Sequence, residues 1–225
     1  MSRRVLVATP SHEGVVTVHY ADSLFYTGKL CAQKGIEIIP VYIPGDAMIQ
    51  RARNELLRMG VESGVDDILF IDADQVWKPE NALSLLLHPV DVVGAAVPKK
   101  SDIEEYNVKA GPKIVVDQRN RLLVVDAVGT GFLRLSRKAA AALYEMGTEY
   151  NSGDDGAVCR MAFDVKVIDG RLHSEDTVAC ERLRDAGFLI HVDPSFTVDH
   201  IGSKRYTGNF AAYLTRLWAA NATKQ

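Results

Sequence analysis

The chain has 225 residues, of which 47% are hydrophobic and 24% charged, as in an ordinary soluble globular protein long enough for one large α/β domain. A formal net charge of −3 excludes a general attraction to nucleic acid or to an anionic membrane. No apolar run approaches the ~20 residues of a membrane span, and the three scattered cysteines lack paired zinc spacing. We therefore expect a complete cytoplasmic protein with reduced thiols and no membrane span.

The amino-terminal segment predicts a strand over residues 4–8, a loop over 9–14 and a helix that ends near Gly35. In mononucleotide-binding folds the loop after the first strand contacts the base and the ribose. This loop contains neither Gly-x-Gly-x-x-Gly nor Gly-Lys-Ser/Thr. Dinucleotide-binding and P-loop proteins are therefore disfavoured.

A second strand is predicted over residues 36–43, and Asp46 is placed to cap the helix that follows. By the helical repeat, Arg51 shares a face with Asn54 and Glu55. This face is either a solvated basic surface with an internal ion pair, or the place where Arg51 reaches a nucleotide or pyrophosphate. The opposite, apolar stripe consists of Met48, Ala52, Leu56 and Met59.

The most informative stretch is Ile68–Trp77, where four apolar residues predict a buried strand that runs directly into Asp72, Ala73 and Asp74. Such a strand delivers its acids to the carboxyl edge of a sheet, where ligands of open α/β sheets bind. Two carboxylates held there suit a divalent cation, Mn²⁺ or Mg²⁺, that grips a diphosphate. The alternative is that both acids are solvated or cap the helix after Pro79.

The middle of the chain predicts a helix at 79–87, a strand at 90–97, a polar and mobile loop at 101–111 and a hairpin at 114–125. Lys99 and Lys100 follow the strand, where they could face phosphate or an acidic acceptor, or be ordinary surface charge. Gly129 and Gly131 precede another strand, and glycine permits a tight bend or the close approach of backbone to a ligand.

The carboxyl-terminal part begins with an Ala-rich helix capped by Ser136 and a loop at 151–156 that is a candidate flexible lid. Ser174 is then placed to cap a helix with Glu175 and Asp176 in its first turn. Capping alone would explain these acids. A strand at 188–192, a segment with a histidine, a glycine and two cations at 200–205, and an amphipathic segment at 210–220 complete the chain.

In this order the motifs resemble those of the GT-A-fold glycosyltransferases over nearly the whole chain. The resemblance is most specific at 70–74 (Phe-Ile-Asp-Ala-Asp), at 129–132 (Gly-Thr-Gly-Phe) and from Ser174 through 185–188 to His200. Residues 51–54 (Arg-Ala-Arg-Asn) and 96–99 are further similar to small single-domain enzymes of viruses, phages and bacteria and to their distant fungal mannosyltransferase relatives.

The resemblance implies an α/β, GT-A-like fold with a mixed, mainly parallel central sheet and helices on both faces. Residues 1–225 would form a single domain, with a nucleotide-binding half roughly over 1–100 and an acceptor-side half roughly over 101–225. Mn²⁺ or Mg²⁺ would be the cofactor, held by Asp74 and His200 together with Asp72, which contacts the donor ribose or the shell of the metal. The nucleotide sugar would contact Thr9, Pro10, Ser11, Arg51, Asn54, Asp72, Ala73 and Gly131, and Lys204 would neutralise the departing diphosphate.

The activity implied is transfer of a sugar from a nucleoside-diphosphate sugar to an acceptor hydroxyl. Asp176, with Glu175 beside it, would be the catalytic acid pair, and its position at a helix start favours an inverting reaction with Asp176 as general base. In a retaining reaction Asp176 would only position the acceptor. The acceptor can be a glycan, a lipid-linked sugar, a protein or a hydroxylated nucleic-acid base. A nucleotidyltransferase, or a non-catalytic domain that binds sugar nucleotides or glycans, is the alternative.

Overall fold

The structure is a computed structural model that describes residues 2–111, 115–152 and 157–222. The helices of these residues are α1 (Val18–Ala32), α2 (Ile49–Ser63), α3 (Pro79–Leu87), α4 (Arg137–Glu145), α5 (Glu175–Asp185) and α6 (Phe210–Ala222). The strands are β1 (Arg3–Ser11), β2 (Ile36–Pro44), β3 (Asp67–Ile71), β4 (Gln75–Val76), β5 (Val92–Ala96), β6 (Val108–Lys109), β7 (Val115–Val116), β8 (Leu123–Val125), β9 (Ala127–Val128), β10 (Phe132–Ser136), β11 (Thr148–Ser152), β12 (Ala157–Met161), β13 (Lys166–Ile168), β14 (Arg171–His173), β15 (Ile190–Thr197), β16 (Asp199–Ile201) and β17 (Arg205–Tyr206).

The central sheet has eight strands in the order β2-β1-β3-β10-β5-β15-β8-β7. Strand β1 is parallel to β2 and β3, and β5 is parallel to β15. Strand β10 lies antiparallel between β3 and β5, and β8 lies antiparallel between β15 and β7. Only β10 and β8 therefore oppose the common direction of this sheet, which is mixed and mainly parallel.

Helices cover both faces of the sheet because its central strands alternate their buried side chains between two hydrophobic clusters. In β3, Ile68 and Phe70 join a cluster with side chains of α2, α4, α5 and α6, whereas Leu69 and Ile71 join one with side chains of α1 and α3. All five residues of β3 are buried, as a strand covered on both faces requires. The predicted fold class, α/β with a mixed, mainly parallel sheet between helices, is confirmed.

Several elements lie where the sequence predicts them. Helix α3 occupies the predicted residues 79–87, with Pro79 at its start. Ser136 caps α4, since its hydroxyl accepts a hydrogen bond from the backbone N–H of Ala139 at 3.2 Å. Helix α5 follows Ser174 and ends before Gly187, whose φ of 88° is the left-handed conformation that stops a helix. These boundaries were therefore marked by local residues, Pro79 at the start of α3, Ser136 at the start of α4 and Gly187 after α5.

The predicted loop after the first strand is wrong at its start. Strand β1 continues to Ser11, which pairs with Pro44 of β2. On its other side β1 pairs with β3 only as far as Ala8, so Pro10 interrupts no hydrogen bond there despite its missing N–H. Helix α1 begins only at Val18, after Thr17 accepts a hydrogen bond from the backbone N–H of Tyr20.

Asp46 is not the N-cap that the sequence predicts, because the cap position of α2 is Met48. The Asp46 carboxylate instead accepts the backbone N–H of Met48 at 2.8 Å, which closes a turn ahead of the helix. The Met48 side chain makes no hydrogen bond to the first turn of α2. The polar side chain at this end is that of Asp46, which precedes the helix. The observed N-cap of α2 therefore lies two residues after the predicted one.

Three other boundaries differ from the predictions. Residues 151 and 152 belong to β11, which pairs with β12, and residues 153–156 of the predicted loop lie outside the described part of the chain. The predicted loop at 101–111 includes β6, which pairs with β9. Strand β15 starts at Ile190 instead of 188, because Phe188 donates its N–H to Leu183 and closes α5. The hairpin is confirmed over 115–125, and Ile114 is not among the described residues.

Within the described residues, none of the helices combines the length and the apolar character that crossing a bilayer requires.

Candidate functional site

A cavity of about 640 Å³ opens at the carboxyl ends of β1 and β3. Of the residues predicted to bind a nucleotide sugar, Pro10, Ser11, Asp72 and Ala73 line this cavity, and Asp74 lines it with them. Thr9 does not, since its side chain is fully buried and its hydroxyl is hydrogen-bonded to the Tyr20 phenol. The strand end that carries the two acids therefore faces this cavity.

Asp72 is fixed by contacts from two directions. Its backbone N–H donates to the carbonyl of Gly131 at 3.1 Å. Its carboxylate accepts hydrogen bonds from Nη2 of Arg53, at 2.9 Å to Oδ1 and 3.2 Å to Oδ2. A Cβ atom on Gly131 would lie 2.9 Å from Oδ2 of Asp72. Glycine at 131 thus lets the strand that starts at Phe132 approach the acid closely.

Arg53 connects the end of β3 with the first turn of α5. Its other terminal nitrogen, Nη1, donates to the carboxylate of Glu175. Burial disfavours the charge of Arg53, which is 4% exposed, but Asp72, Glu175 and the nearby Asp176 outweigh that effect and raise its pKa. This buried ion-pair network brings elements that are more than a hundred residues apart in sequence to one place.

Asp74 lies among cationic and polar side chains. Lys100 Nζ is 2.6 Å from its Oδ2, His200 Nε2 is 3.3 Å from the same oxygen, and Gln75 Nε2 is 3.4 Å from Oδ1. Burial alone would raise the pKa of Asp74, but the hydrogen bonds from His200 and Lys100 outweigh it and lower the pKa to about 2. Asp74 is therefore ionised at every pH at which the protein is expected to work.

His200 reaches Asp74 because β16 pairs with β4, which places His200 opposite Gln75, the residue after Asp74. Its Nδ1 lies 3.0 Å from the carbonyl oxygen of Pro98, which can only accept, so Nδ1 carries a proton. Nε2 then faces the carboxylate of Asp74. A backbone carbonyl on one ring nitrogen is the arrangement that orients a metal-binding histidine.

Asp74 and His200 together fit a divalent cation with two protein ligands. The carboxylate of Asp72, the predicted third ligand, accepts a hydrogen bond from Arg53. No group of three or more His, Cys, Asp or Glu side chains in the part of the chain that the structure describes is arranged to hold a metal ion. A cation held by these two side chains would therefore take its remaining ligands from water or from a bound molecule.

Asp176 lines a second cavity, of about 170 Å³, between α5 and the strands β6 and β9. Its Oδ1 accepts hydrogen bonds from the backbone N–H of Thr177, at 2.7 Å, and from the hydroxyl of Ser174. Lys99 lines this cavity, and the next residue, Lys100, lines the larger one. The two cavities are therefore neighbours, with the predicted general base on one side and the paired acids on the other.

Three predicted ligands lie elsewhere. Arg51 is exposed, and its guanidinium is held by the carboxylate of Asp46 at 2.7 and 2.8 Å. Asn54 is fully buried, and its amide bonds both backbone groups of Phe163, donating at 2.9 Å and accepting at 2.7 Å. Lys204 donates to the exposed carboxylate of Asp102 and lines a third cavity. The structure does not bring these side chains to Asp72 and Asp74.

Sequence analysis did not single out the two cations that contact the paired acids. The sequence analysis chose Arg51 and not Arg53. Arg53 lies on the buried side of α2 with Ala52, Leu56 and Leu57, and a charged residue on a buried helix face indicates an ion-pair partner inside the protein. Lys100 was noted as a lysine after a strand, a pattern as common on surfaces as in sites. In both cases the deciding contact is with a residue distant in sequence.

The structure defines an α/β protein with a mixed, mainly parallel sheet between two layers of helices and two adjoining cavities. Among solved structures, the protein A197 from STIV is 18% identical to this chain, with a TM-score of 0.54 over 89% of this chain and 86% of that one. At this identity the likeness shows the fold alone. No protein-family model matches the chain, and neither does any curated protein.

Two further solved structures are similar at lower TM-scores. A glycosyltransferase involved in the glycosylation of the major capsid of PBCV-1 has 12% identity and a TM-score of 0.36 over 62% of each chain. The inositol-1-phosphate CTP transferase from T. maritima has 10% identity and a TM-score of 0.44 over 89% of each chain.

Proposed function

We propose that the protein is a glycosyltransferase that moves a sugar from a nucleoside-diphosphate sugar to an acceptor hydroxyl. The observation that carries this proposal is the bridge from Asp72 through Arg53 to Glu175. It joins a strand end with two acids, beside a cavity large enough for a nucleotide, to a helix start with the acid Asp176. A donor site and a proton acceptor side by side are what glycosyl transfer requires.

On the donor side, the diphosphate would lie near Asp74 and Lys100, with the nucleoside along Pro10 and Ser11. Asp74 and His200 would hold Mn²⁺ or Mg²⁺, which supplies Lewis-acid stabilisation of the leaving diphosphate when bound. Lys100 supplies a positive charge at the same place and stabilises the negative charge that develops on the diphosphate. We assign this role to Lys100 in place of the predicted Lys204, because Lys100 lines the cavity.

On the acceptor side, Asp176 would take the proton of the attacking hydroxyl as the C–O bond forms and the bond to the diphosphate breaks. A positioned general base typically contributes ~10²–10⁴-fold to the rate. Because Asp176 lines a cavity separate from that of Asp72 and Asp74, attack from the face opposite the diphosphate is favoured, which gives an inverted product. Glu175 would keep Arg53 in place and would not touch the substrate.

The test is hydrolysis and transfer with a panel of UDP-, GDP- and dTDP-sugars in the presence of Mn²⁺. Wild-type protein should hydrolyse at least one donor slowly, and Asp74→Asn should lose the Mn²⁺-dependent rate while keeping its fold. Asp66→Asn is the matched control, since Asp66 precedes the other end of β3 and is similarly exposed, at 43% against 34%. Full activity of Asp74→Asn in the presence of a chelator would contradict the proposal.

Two other outcomes identify the alternative functions. Release of pyrophosphate from a nucleoside triphosphate and a sugar phosphate would indicate a nucleotidyltransferase. Thermal stabilisation by a nucleotide sugar with neither hydrolysis nor transfer would indicate a binding domain. The acceptor, the compartment and the relation to viral, phage or bacterial enzymes and to fungal mannosyltransferases stay predictions.

A further inference from the structure

The start of α5 departs from ordinary helix capping. A serine in the N-cap position normally accepts a hydrogen bond from the backbone N–H of the second or third helical residue. Ser174 makes no such bond. The N–H of the third residue, Thr177, goes to Oδ1 of Asp176 at 2.7 Å, and the Ser174 hydroxyl donates to that same oxygen. Asp176 has taken the capping role, and the serine has become a donor to it.

A hydrogen-bond chain extends this arrangement away from the helix. Lys109 Nζ lies 2.8 Å from Oγ1 of Thr177, which lies 3.1 Å from the hydroxyl of Ser174. An ammonium group only donates and a carboxylate only accepts. The Ser174 proton goes to Asp176, and the Thr177 hydroxyl donates either to Ser174 or directly to Asp176 Oδ1, which lies 3.5 Å away. Every donor in the chain therefore points towards Asp176 Oδ1.

The other carboxylate oxygen, Oδ2 of Asp176, has no hydrogen-bond partner among residues 2–111, 115–152 and 157–222. Asp176, Ser174, Thr177 and Lys109 all line the 170 Å³ cavity, together with Lys99 and the backbone around Gly129. One oxygen is thus committed to protein donors and the other is available to a hydroxyl that enters this cavity. A general base is more effective when the oxygen that takes the proton is held in position towards the attacking hydroxyl.

We propose that Ser174, Thr177 and Lys109 are positioning residues, which hold Asp176 by Oδ1 so that Oδ2 receives the proton of an acceptor bound in this cavity. The inference rests on the proposed function. The proton passes from the acceptor hydroxyl to Oδ2 as the new C–O bond forms and the diphosphate leaves. None of the three positioning side chains gives up or gains a proton in that step.

Structure determination of the variants Thr177→Val, Thr177→Ser and Ser174→Ala tests the positioning itself, independently of any substrate. In Thr177→Val the shape of the side chain is kept and the hydroxyl is lost, and Thr177→Ser restores the hydroxyl. We expect the carboxylate of Asp176 to adopt a different rotamer, or several, in Thr177→Val, and to keep the wild-type orientation in Thr177→Ser. If the Asp176 carboxylate keeps its wild-type orientation both in Thr177→Val and in Ser174→Ala, the inference is overturned.

Kinetics tests the consequence, with the UDP-, GDP- or dTDP-sugar that wild type hydrolyses fastest as donor and methyl glycosides as acceptors. Thr177→Val and Lys109→Met should lower kcat for transfer roughly 10-fold, the effect of one hydrogen bond to a charged group. The donor KM should stay unchanged, and Thr177→Ser should regain the wild-type kcat. Ser136→Ala, which removes an ordinary cap from α4, should lower the melting temperature without changing kcat.

The possible results separate the positioning role from the proposed function on which it rests. Wild-type transfer rates in Thr177→Val and Lys109→Met would overturn the positioning role and leave the glycosyltransferase proposal intact. Equal losses of transfer and donor binding, without rescue in Thr177→Ser, would indicate a merely structural role and also overturn it. A wild-type protein that transfers nothing and hydrolyses no donor would overturn both.

Discussion

Arg53 and Asp72 form a buried ion pair in which one guanidinium nitrogen lies 2.9 Å from one carboxylate oxygen and 3.2 Å from the other. The same guanidinium also holds Glu175, so a single arginine connects the end of β3 to the start of α5. One buried side chain that lines neither cavity therefore joins the two halves of the proposed site. This connection leads to the first prediction.

Arg53→Met should destabilise the protein by about 3–5 kcal/mol, because it leaves two acids partly buried without their counter-charge. Urea unfolding followed by circular dichroism measures this change. Arg58→Met on the same helix is the control, since the pairs of Arg58 with Glu55 and Glu62 are more exposed and should cost about 1 kcal/mol or less. Equal losses of unfolding free energy in the two variants would show that the ion pairs of Arg53 contribute no more to stability than those of Arg58.

Gly131→Ala should damage the site more than the fold. The new Cβ would lie 2.9 Å from Asp72 Oδ2 and 3.5 Å from Gln75 Nε2, so the carboxylate must shift. We expect a loss of about 1–3 kcal/mol in stability and a clear loss of Mn²⁺-dependent nucleotide binding, measured by calorimetry. Gly28→Ala, in α1 with nothing within 4 Å of its Cβ, should stabilise the helix by up to ~1 kcal/mol and bind nucleotide normally.

Lys100→Met should weaken the binding of a nucleoside diphosphate by roughly 10-fold or more, since it removes a cation that lines the cavity beside Asp74. Lys204→Met should change the affinity by less than about 3-fold, because its ammonium is held by Asp102 at another cavity and exposed charges are screened. Titration of each variant with UDP, GDP and dTDP in the presence of Mn²⁺ measures both. The reverse order of effects would restore Lys204 as the diphosphate ligand.

Asp193 gives the protein a component of stability that depends on pH. Burial alone would raise the pKa of this 4% exposed acid, but hydrogen bonds from His88 Nε2, at 2.8 Å, and from Ser195 outweigh it and lower the pKa. A lowered folded-state pKa stabilises the protein above the unfolded value of about 3.9, and this stability is lost as the pH falls through the folded value.

Asp193→Asn should therefore be about 1–3 kcal/mol less stable than wild type at pH 7, and the difference should shrink below about pH 4. Urea unfolding at pH 7 and pH 3 measures it. Asp126→Asn is the control, since Asp126 is exposed and lies 3.5 Å from Arg184, and its effect should stay within about 0.5 kcal/mol. A difference for Asp193→Asn that is constant between pH 7 and pH 3 would contradict the assignment.

Much of the fold was predictable because its signals are local. The apolar run at Ile68–Ile71 predicts a buried strand, and a strand there delivers the acids that follow it to the sheet edge. Proline, serine and glycine marked the limits of α3, α4 and α5. The start of α1 was mispredicted because pairing between β1 and β2 extends the first strand beyond its apolar run.

The site was predictable only in outline, because its contacts join distant segments. Arg51 and Arg53 differ by two residues, and one is exposed while the other is buried, which depends on acids supplied by β3 and α5. Likewise Lys100 and Lys204 both follow strands. Strand β16 pairs with β4 and brings His200 to Asp74, and Lys100 lies beside this pair of strands. This position in the fold makes Lys100, and not Lys204, the lysine that contacts Asp74.

The central claim is that Asp74 and His200 lie at the donor diphosphate. Its most direct measurement is anomalous diffraction at the manganese edge from crystals grown with Mn²⁺ and the nucleoside diphosphate that binds best. We predict a manganese peak bonded to Asp74 and His200, with the nucleotide in the 640 Å³ cavity along Pro10 and Ser11. A nucleotide bound in any other cavity, or manganese bound away from these two side chains, would contradict the account.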